Sequence, residues 1–361
     1  MPKVSVIIPV HNGAKKLPRT AEQILNQTYH DLELILVENG SADNSWQLCQ
    51  SLAHVDSRVR AIQSEPATIL ARKAGVLAAR GEYITFSDCD DRYINNQAIS
   101  SMVQKAEETN ADIVQFGNYA YKLGKMTKRV PKVEQVIERK ELLETYIDGV
   151  MGAYEPTMIG ATVWSKIYKS APLKSACSKI DKPLIKSEDL CLNAYAFFEE
   201  SVRKVASTKE CYYVYYTGIG GSGSENAAEE LFEEYRVYKP IALQLAKEHG
   251  AGAYPIIKCH RETLNFMNGL ITQSILRGDK REQTIKTIGE YASWDFVREA
   301  SDYFRNDANP WDEHILRLSA IDDPDAYYER CLAELGNLQV KRIHYNVKRT
   351  AKNIFRWIDK L

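Results

Sequence analysis

The first part of the chain alternates short apolar runs with amphipathic segments. Val4–Ile8, Leu32–Val37, Val59–Ile62, Tyr83–Phe86 and Ile113–Phe116 are almost continuously apolar, the pattern of strands covered on both faces. Between them, residues 17–25, 43–52, 68–79 and 98–108 carry helical spacing. Pro18 stands where a helix start tolerates it. Ala71, Gly75, Ala78 and Ala79 give one of these helices a small-residue face. Repeated β-α-β order predicts an α/β fold on a mostly parallel sheet.

From about residue 115 to 156 the signal weakens, with 138–147 read as a helix. A helix over 188–198 follows, then strands over 202–206 and 211–216. The Gly/Ser-rich stretch Thr217–Ser224 reads as a loop, a domain boundary and a candidate lid. Beyond it the spacing is helical over 227–248, 256–276, 283–291, 326–335 and 341–360. The expectation is two domains, 1–220 built on the sheet and 225–361 helical.

Composition narrows the classes. At 361 residues the length suits two domains, and 44% hydrophobic residues suffice for a sizeable core. A net charge of -1 gives no general attraction to nucleic acid. Cysteines at 49, 89, 177, 191, 211, 259 and 331 form no CxxC pair, which fits reduced thiols in the cytoplasm. The start runs directly into a strand without a signal-peptide pattern, and no apolar run approaches the ~20 residues of a membrane span. The expected protein is soluble, at most resting on a membrane surface.

Ligands of open parallel sheets bind beyond the carboxyl ends of the strands, and three polar clusters fall there. Pro9-Val10-His11-Asn12-Gly13 follows the first strand, Glu38-Asn39-Gly40-Ser41-Ala42-Asp43 the second, and Ser87-Asp88-Cys89-Asp90-Asp91 the fourth. Glu38 suits a base edge or ribose hydroxyl, and Gly40-Ser41 permits close backbone approach to a ligand. Asp88 and Asp90 share a side if the segment is extended, and carboxylates so crowded suit a Mg2+ or Mn2+ bridging a diphosphate. An acidic turn that ends a strand is the competing reading. No GxxxxGK[ST] is present and no GxGxxG follows the first strand, which speaks against kinases and dinucleotide dehydrogenases.

Taken in order, the residues resemble family 2 glycosyltransferases. The resemblance rests on Val4-Ser5-Val6-Ile7-Ile8-Pro9-Val10-His11-Asn12, Gln27-Thr28-Tyr29, and Leu34 through Glu38-Asn39-Gly40-Ser41-Ala42-Asp43-Asn44-Ser45. It continues through Ala71-Arg72-Lys73-Ala74-Gly75, Ala79 to Ile84, Asp88-Cys89-Asp90-Asp91, Trp164 to Lys169, and Ser187-Glu188-Asp189-Leu190. It covers about residues 3–220. It implies a GT-A type fold and inverting transfer of a sugar, with a UDP-sugar as the expected donor and a glycan or lipid-linked hydroxyl as acceptor, in bacterial-type surface polysaccharide or glycoconjugate synthesis.

Carried over position by position, the resemblance makes Asp90 the metal ligand, for Mn2+ or Mg2+, and Asp189 the general base. Asp88 becomes a ribose or metal-shell contact, and Glu38 and Arg72 nucleotide-base contacts. Pro9, Val10, Asn12 and Ser41 complete the nucleotide-sugar set. Asp91, Trp164, Lys166 and Glu188 are candidates for the acceptor side or a supporting shell. Two departures stand out: Glu38-Asn39 replaces the usual Asp-Asp, and Lys73 the usual Asn.

The C-terminal stretch 340–361 sets Ile343, Val347, Ala351, Ile354, Ile358 and Leu361 among Lys and Arg residues, the pattern of a helix on an anionic membrane or of one packed on protein, including a second subunit. Alternatives to a glycosyltransferase are a metal-dependent nucleotidyltransferase, whose Gly-rich basic loop is missing, and a non-catalytic sugar-nucleotide binder or scaffold.

Overall fold

Val4–Val10 (β1) and Leu32–Glu38 (β2) are buried along their whole length, as mostly apolar runs covered on both faces require, and the buried Ser5 hydroxyl donates to Glu33 at 2.6 Å. The computed structural model describes residues 2–122, 124–152, 158–216, 226–306, 311 and 313–347. The further strands are β3 (Val59–Gln63), β4 (Tyr83–Phe86), β5 (Arg92–Tyr93), β6 (Ile113–Lys122), β7 (Lys125–Arg129), β8 (Val136–Glu138), β9 (Lys166–Lys169) and β10 (Lys204–Tyr216). They form one sheet in the order β3-β2-β1-β4-β9-β6-β10-β5, with β7 on β6 and β8 on β10.

The pairs β3-β2, β2-β1, β1-β4 and β6-β10 are parallel. β9 runs antiparallel to both β4 and β6. The carboxyl ends of β1, β2, β4, β6 and β10 therefore share one edge, and β9 begins there. Val10 pairs with Glu38, and Glu38 with Gln63, so the first two polar clusters emerge side by side.

Helix Thr68–Ala78 lies close against this sheet. A Cβ added at Gly75 would sit 2.5 Å from Ile7 Cγ2 and 3.1 Å from Val37 Cγ2, so only glycine permits the approach. Arg72, one turn earlier on the helix, is buried as a result.

Several elements differ from the sequence expectation. Residues 202–216 hold one strand, not two. Its register shifts between Ser207 and Cys211 and between Cys211 and Tyr213, where Thr208-Lys209-Glu210 break the apolar run. Residues 138–147 are not a plain helix. Val136–Glu138 pairs with β10 and buries Ile137, and Arg139–Glu141 then passes through a π turn, Leu142–Tyr146, into a 3-10 turn, Ile147–Gly149. β9 and the helices Ser170–Ser178, Asp295–Asn306 and Glu313–Ser319 were not expected.

The chain divides into two compact units, residues 1–220 with 241–255, and residues 221–240 with 256–361. The described part of the second is helical. Phe232 is fully buried there against the rings of Phe266, Tyr291, Trp294 and Phe296 at 5.0–5.5 Å. The loop Thr217–Ser224 and residues 348–361 lie outside the described residues, and 338–347 are helical. No described helix is long and apolar enough to cross a membrane.

Candidate active site

The loops after β1 and β2 are tied to each other by side chain to backbone hydrogen bonds. The Asn12 N–H donates to Ser41 Oγ at 3.0 Å, and the Ala42 N–H donates to Asn12 Oδ1 at 2.8 Å. The Gly13 N–H donates to Ser45 Oγ, and the Ala14 N–H to Asp43 Oδ2. Gly40 turns the second loop with φ +88°, a conformation that favours glycine. Asn12 and Ser41, both expected to face the nucleotide, thus also fix the loops that would hold it. Pro9 and Val10 are the last residues of β1, level with Val37 and Glu38.

Glu38 is buried, and its two carboxylate oxygens accept from the Ser41 N–H at 2.5 Å and from Gln63 Nε2 at 3.0 Å. Burial opposes its ionisation, but the hydrogen bonds from Gln63 and Ser41 outweigh that and hold its carboxyl below the usual range. Asn39 is also buried, and its Oδ1 has no hydrogen-bond partner. A buried carbonyl oxygen left unpaired is costly. At the end of β2 it is an acceptor available to a ligand N–H.

The third cluster does not stay extended. After Ser87 the chain turns, with the Asp91 N–H donating to the Asp88 carbonyl at 3.2 Å. The expectation that Asp88 and Asp90 share one side through a strand period therefore does not hold. Asp88 Oδ1 accepts from Arg72 at 3.1 Å, whereas Asp90 Oδ2 accepts from Lys16 at 3.1 Å. Asp91 is buried, its Oδ2 accepting from the Tyr213 hydroxyl at 3.0 Å and its Oδ1 from the Tyr216 N–H at 2.8 Å. The Tyr213 hydroxyl in turn accepts from the Asp88 N–H at 2.9 Å. Asp91 thereby binds the end of β10 to the turn.

Arg72 joins the two halves of the site. It is 3% exposed; one guanidinium nitrogen donates to Asp88, and the other to Asp189 Oδ1 at 2.5 Å and to Glu188 Oε1 at 3.2 Å. Glu188 and Asp189 open helix Glu188–Phe198, where the helix dipole favours carboxylates. Burial works against the charged guanidinium, but Asp189, Asp88 and Glu188 overcome it and raise its pKa. Burial, with Asp189 and Asp90 adding to it against the pull of Arg72, pushes Asp88 up. Burial and then Asp189 push Glu188 up, and burial and then Asp88 push Asp91 up.

Asp189 Oδ2 accepts from the Val163 N–H at 3.3 Å. The segment that supplies this donor is braced by Lys166, which is fully buried and donates to the carbonyls of Gly160 at 2.8 Å and Thr162 at 2.5 Å. Burial brings the Lys166 ammonium down to about 7. Trp164 is stacked against Tyr213 at 4.7 Å and Tyr215 at 5.2 Å. Lys166 thus braces the segment that holds Asp189, and Trp164 packs that segment against β10.

Lys16, Gln63 and Tyr213 were not singled out from the sequence. Each meets its carboxylate across a long separation in the chain, and none stands in a pattern that marks it.

The donor set suits a hard divalent cation. Carboxylates of Asp88, Asp90, Asp91, Glu188 and Asp189 outnumber the cations Arg72, Lys16 and Lys166 placed among them. Among the described residues no three His, Cys, Asp or Glu side chains form a metal cage. Mg2+ is ordinarily held by one or two carboxylates with substrate phosphates completing the shell. Asp90 and Asp88 are the carboxylates that could supply such ligands, Asp90 now paired with Lys16 and Asp88 with Arg72.

Residues 5–162 match the family described as Glycosyl transferase family 2. The chain is 31% identical over 315 residues to the uncharacterized glycosyltransferase EpsJ of Bacillus subtilis (strain 168), covering 83% of this chain and 86% of EpsJ. It is 27% identical over 190 residues to the GalNAc(5)-diNAcBac-PP-undecaprenol beta-1,3-glucosyltransferase of Campylobacter jejuni subsp. jejuni serotype O:2, covering 47% of this chain and 60% of that protein. Among solved structures, S. aureus TarS 1-349 in complex with UDP-GlcNAc superimposes with a TM-score of 0.61 at 18% identity, over 90% of this chain and 89% of TarS 1-349. That likeness is one of fold.

Proposed function

The chain belongs to glycosyl transferase family 2, and from that premise we propose that it moves a sugar from a UDP-sugar to a hydroxyl of a glycan or lipid-linked acceptor, with inversion at the anomeric carbon. The observation that carries this reading is the Arg72 fork, which ties Asp88, beside the nucleotide loops, to Asp189 on the acceptor side. The fold shared with TarS, solved with UDP-GlcNAc, supports the donor class. The undecaprenol-linked acceptor in the name of the C. jejuni relative supports a lipid-linked acceptor.

In this mechanism Glu38, Asn39, Asn12 and Ser41 hold the base and ribose, with Pro9 and Val10 as the floor. Asp189 takes the proton of the acceptor hydroxyl as its oxygen attacks the anomeric carbon. The new C–O bond forms as the bond to the diphosphate oxygen breaks, and that oxygen leaves with the electron pair on UDP. Arg72 and the Val163 N–H fix the direction of the Asp189 carboxylate. Asp90 and Asp88 would hold Mg2+ or Mn2+, which when bound would supply Lewis-acid stabilisation of the departing diphosphate. Asp91 acts by holding the turn.

Release of UDP from a panel of UDP-hexoses and UDP-N-acetylhexosamines, with GDP-mannose as the contrast and with and without Mn2+, tests the reading. Turnover lost in both Asp90→Ala and Asp189→Ala supports it. Full turnover in either variant overturns its role, and nucleotide binding without turnover of any donor makes the chain a sugar-nucleotide binder.

The reading extends to the rest of the chain. The helical region 225–361 would supply acceptor, membrane or subunit contacts. The basic stretch 340–361, of which 348–361 lie outside the described residues, would rest on the cytoplasmic face of a membrane during surface polysaccharide or glycoconjugate synthesis.

A further inference from the structure

Between Asp112 and Glu134 the chain has no acidic residue and five basic ones, Lys122, Lys125, Lys128, Arg129 and Lys132. The first four fall on the hairpin of β6 and β7, and Lys132 lies just beyond it. Lys125–Arg129 is exposed at every residue, and Met126 and Val130 are exposed apolar side chains beside it. Among the described residues, Lys122, Lys125, Lys128 and Arg129 are in no ion pair.

The register separates two faces. Tyr121 pairs with Met126 and Tyr119 with Lys128, whereas Lys122 pairs with Lys125 and Asn118 with Arg129. Directly paired residues point to the same side. One face thus mixes Tyr119, Tyr121 and Met126 with Lys128, and the other is basic. Lysines alone would be ordinary protection of an edge strand. Tyrosines and an exposed methionine among them have the chemistry of a lipid headgroup region, where aromatic rings sit at the interface and basic groups meet phosphates.

The hairpin also stands at the working edge of the sheet. Tyr121 pairs with Tyr216, their rings 5.1 Å apart, and the Tyr216 N–H is held by Asp91. Lys122, the next residue, ends β6 and pairs with Lys125 at the start of β7.

We infer that the β6-β7 hairpin docks this protein on an anionic lipid bilayer, with the carboxyl edge of the sheet turned toward the surface. The hairpin and the basic stretch 340–361 are different parts of the sequence, and the test of the hairpin does not depend on glycosyl transfer. Flotation of the full chain with phosphatidylcholine vesicles, and with vesicles that also contain phosphatidylglycerol, reads it directly. Binding is expected only to the anionic vesicles and is weakened by 0.5 M salt. Lys125→Glu/Lys128→Glu/Arg129→Glu is expected to lower the partition on the order of a hundredfold, and Met126→Ser by about threefold. Both variants should keep the wild-type thermal midpoint and UDP-induced thermal shift.

Wild-type flotation by the triple variant overturns the inference and leaves any binding to another surface. Absence of binding to anionic vesicles by the wild-type chain overturns it as well. So does a chain that ignores vesicles yet binds soluble polyphosphate through the hairpin, which would make the partner a polyanion.

Discussion

In the first unit Arg72 lies 3% exposed among Asp88, Glu188 and Asp189; in the second, Phe232 is fully buried among Phe266, Tyr291, Trp294 and Phe296. Both are centres around which chain segments distant in sequence meet, but they hold by different means. The aromatic centre is satisfied as it stands, because every ring loses water and gains neighbours. The charged centre keeps more carboxylates than cations, and the Asn39 oxygen at the end of β2 has no partner, so on the proposed reading ligands rather than folding complete the site. On the proposed reading the chemistry belongs to the first unit, and the Phe232 centre is scaffold.

The largest blow to the charged centre is Arg72→Met. It leaves Asp88, Glu188 and Asp189 partly buried without their shared cation, at about 3–5 kcal/mol of stability, and transfer should fall below detection. Urea unfolding and UDP release measure both. Asp189→Asn keeps a hydrogen-bonding group for Arg72 but cannot take a proton. The rate is expected to fall on the order of 10²- to 10⁴-fold while the thermal midpoint and UDP affinity stay near wild type. If affinity and rate fall together, Asp189 is a donor-site residue and the assignment of a base is wrong.

Phe232→Ala is the converse. Emptying the aromatic centre should cost about 3–5 kcal/mol and leave UDP affinity unchanged wherever the protein remains folded. Weakened UDP binding in folded protein would erase the division between the two centres. Asn39→Leu should lower UDP affinity by about 1–3 kcal/mol without lowering the stability of the unliganded protein, because Asn39 Oδ1 has no partner to lose. Calorimetry and unfolding separate those outcomes.

The strands that carry the nucleotide loops were readable because β1, β2 and β4 are mostly apolar, interrupted only by Ser5, Glu33, Glu38 and Thr85, and helices Leu17–Leu25 and Glu188–Phe198 kept their expected bounds. β9 was not readable: its four residues begin and end in lysine, and only the positions of β4 and β6 make Lys166–Lys169 a strand. Arg139–Gly149 has helical spacing, but it divides into unlike turns that no period of 3.6 describes. The acidic residues of the site could be named from order and resemblance. Their pairing could not, because Arg72 meets Asp189 across 117 positions and Asp90 meets Lys16 across 74. The same step explains why Asp88 and Asp90 diverge: the turn at Cys89, and not the strand period, sets where each carboxylate points.

The finest test of the charged centre is its response to pH. Burial, reinforced by Asp189, pushes Glu188 up to about 8. An unfolded glutamate titrates near about 4.3. Between those values the folded protein binds the proton that the unfolded chain has released, so stability falls as pH rises through that window and levels off above it. Glu188→Gln removes this contribution while leaving Asp88 and Asp189 to Arg72. The variant should match the wild type at pH 4, lose less stability on the way to pH 9, and be the more stable protein there; Asp88 and Asp91, pushed up for the same reason, keep the remaining slope. Urea midpoints taken across that range decide it. A variant that loses stability as steeply as the wild type would mean that Arg72 compensates Glu188 fully, and the charged centre would then be as complete before ligand binds as the aromatic one.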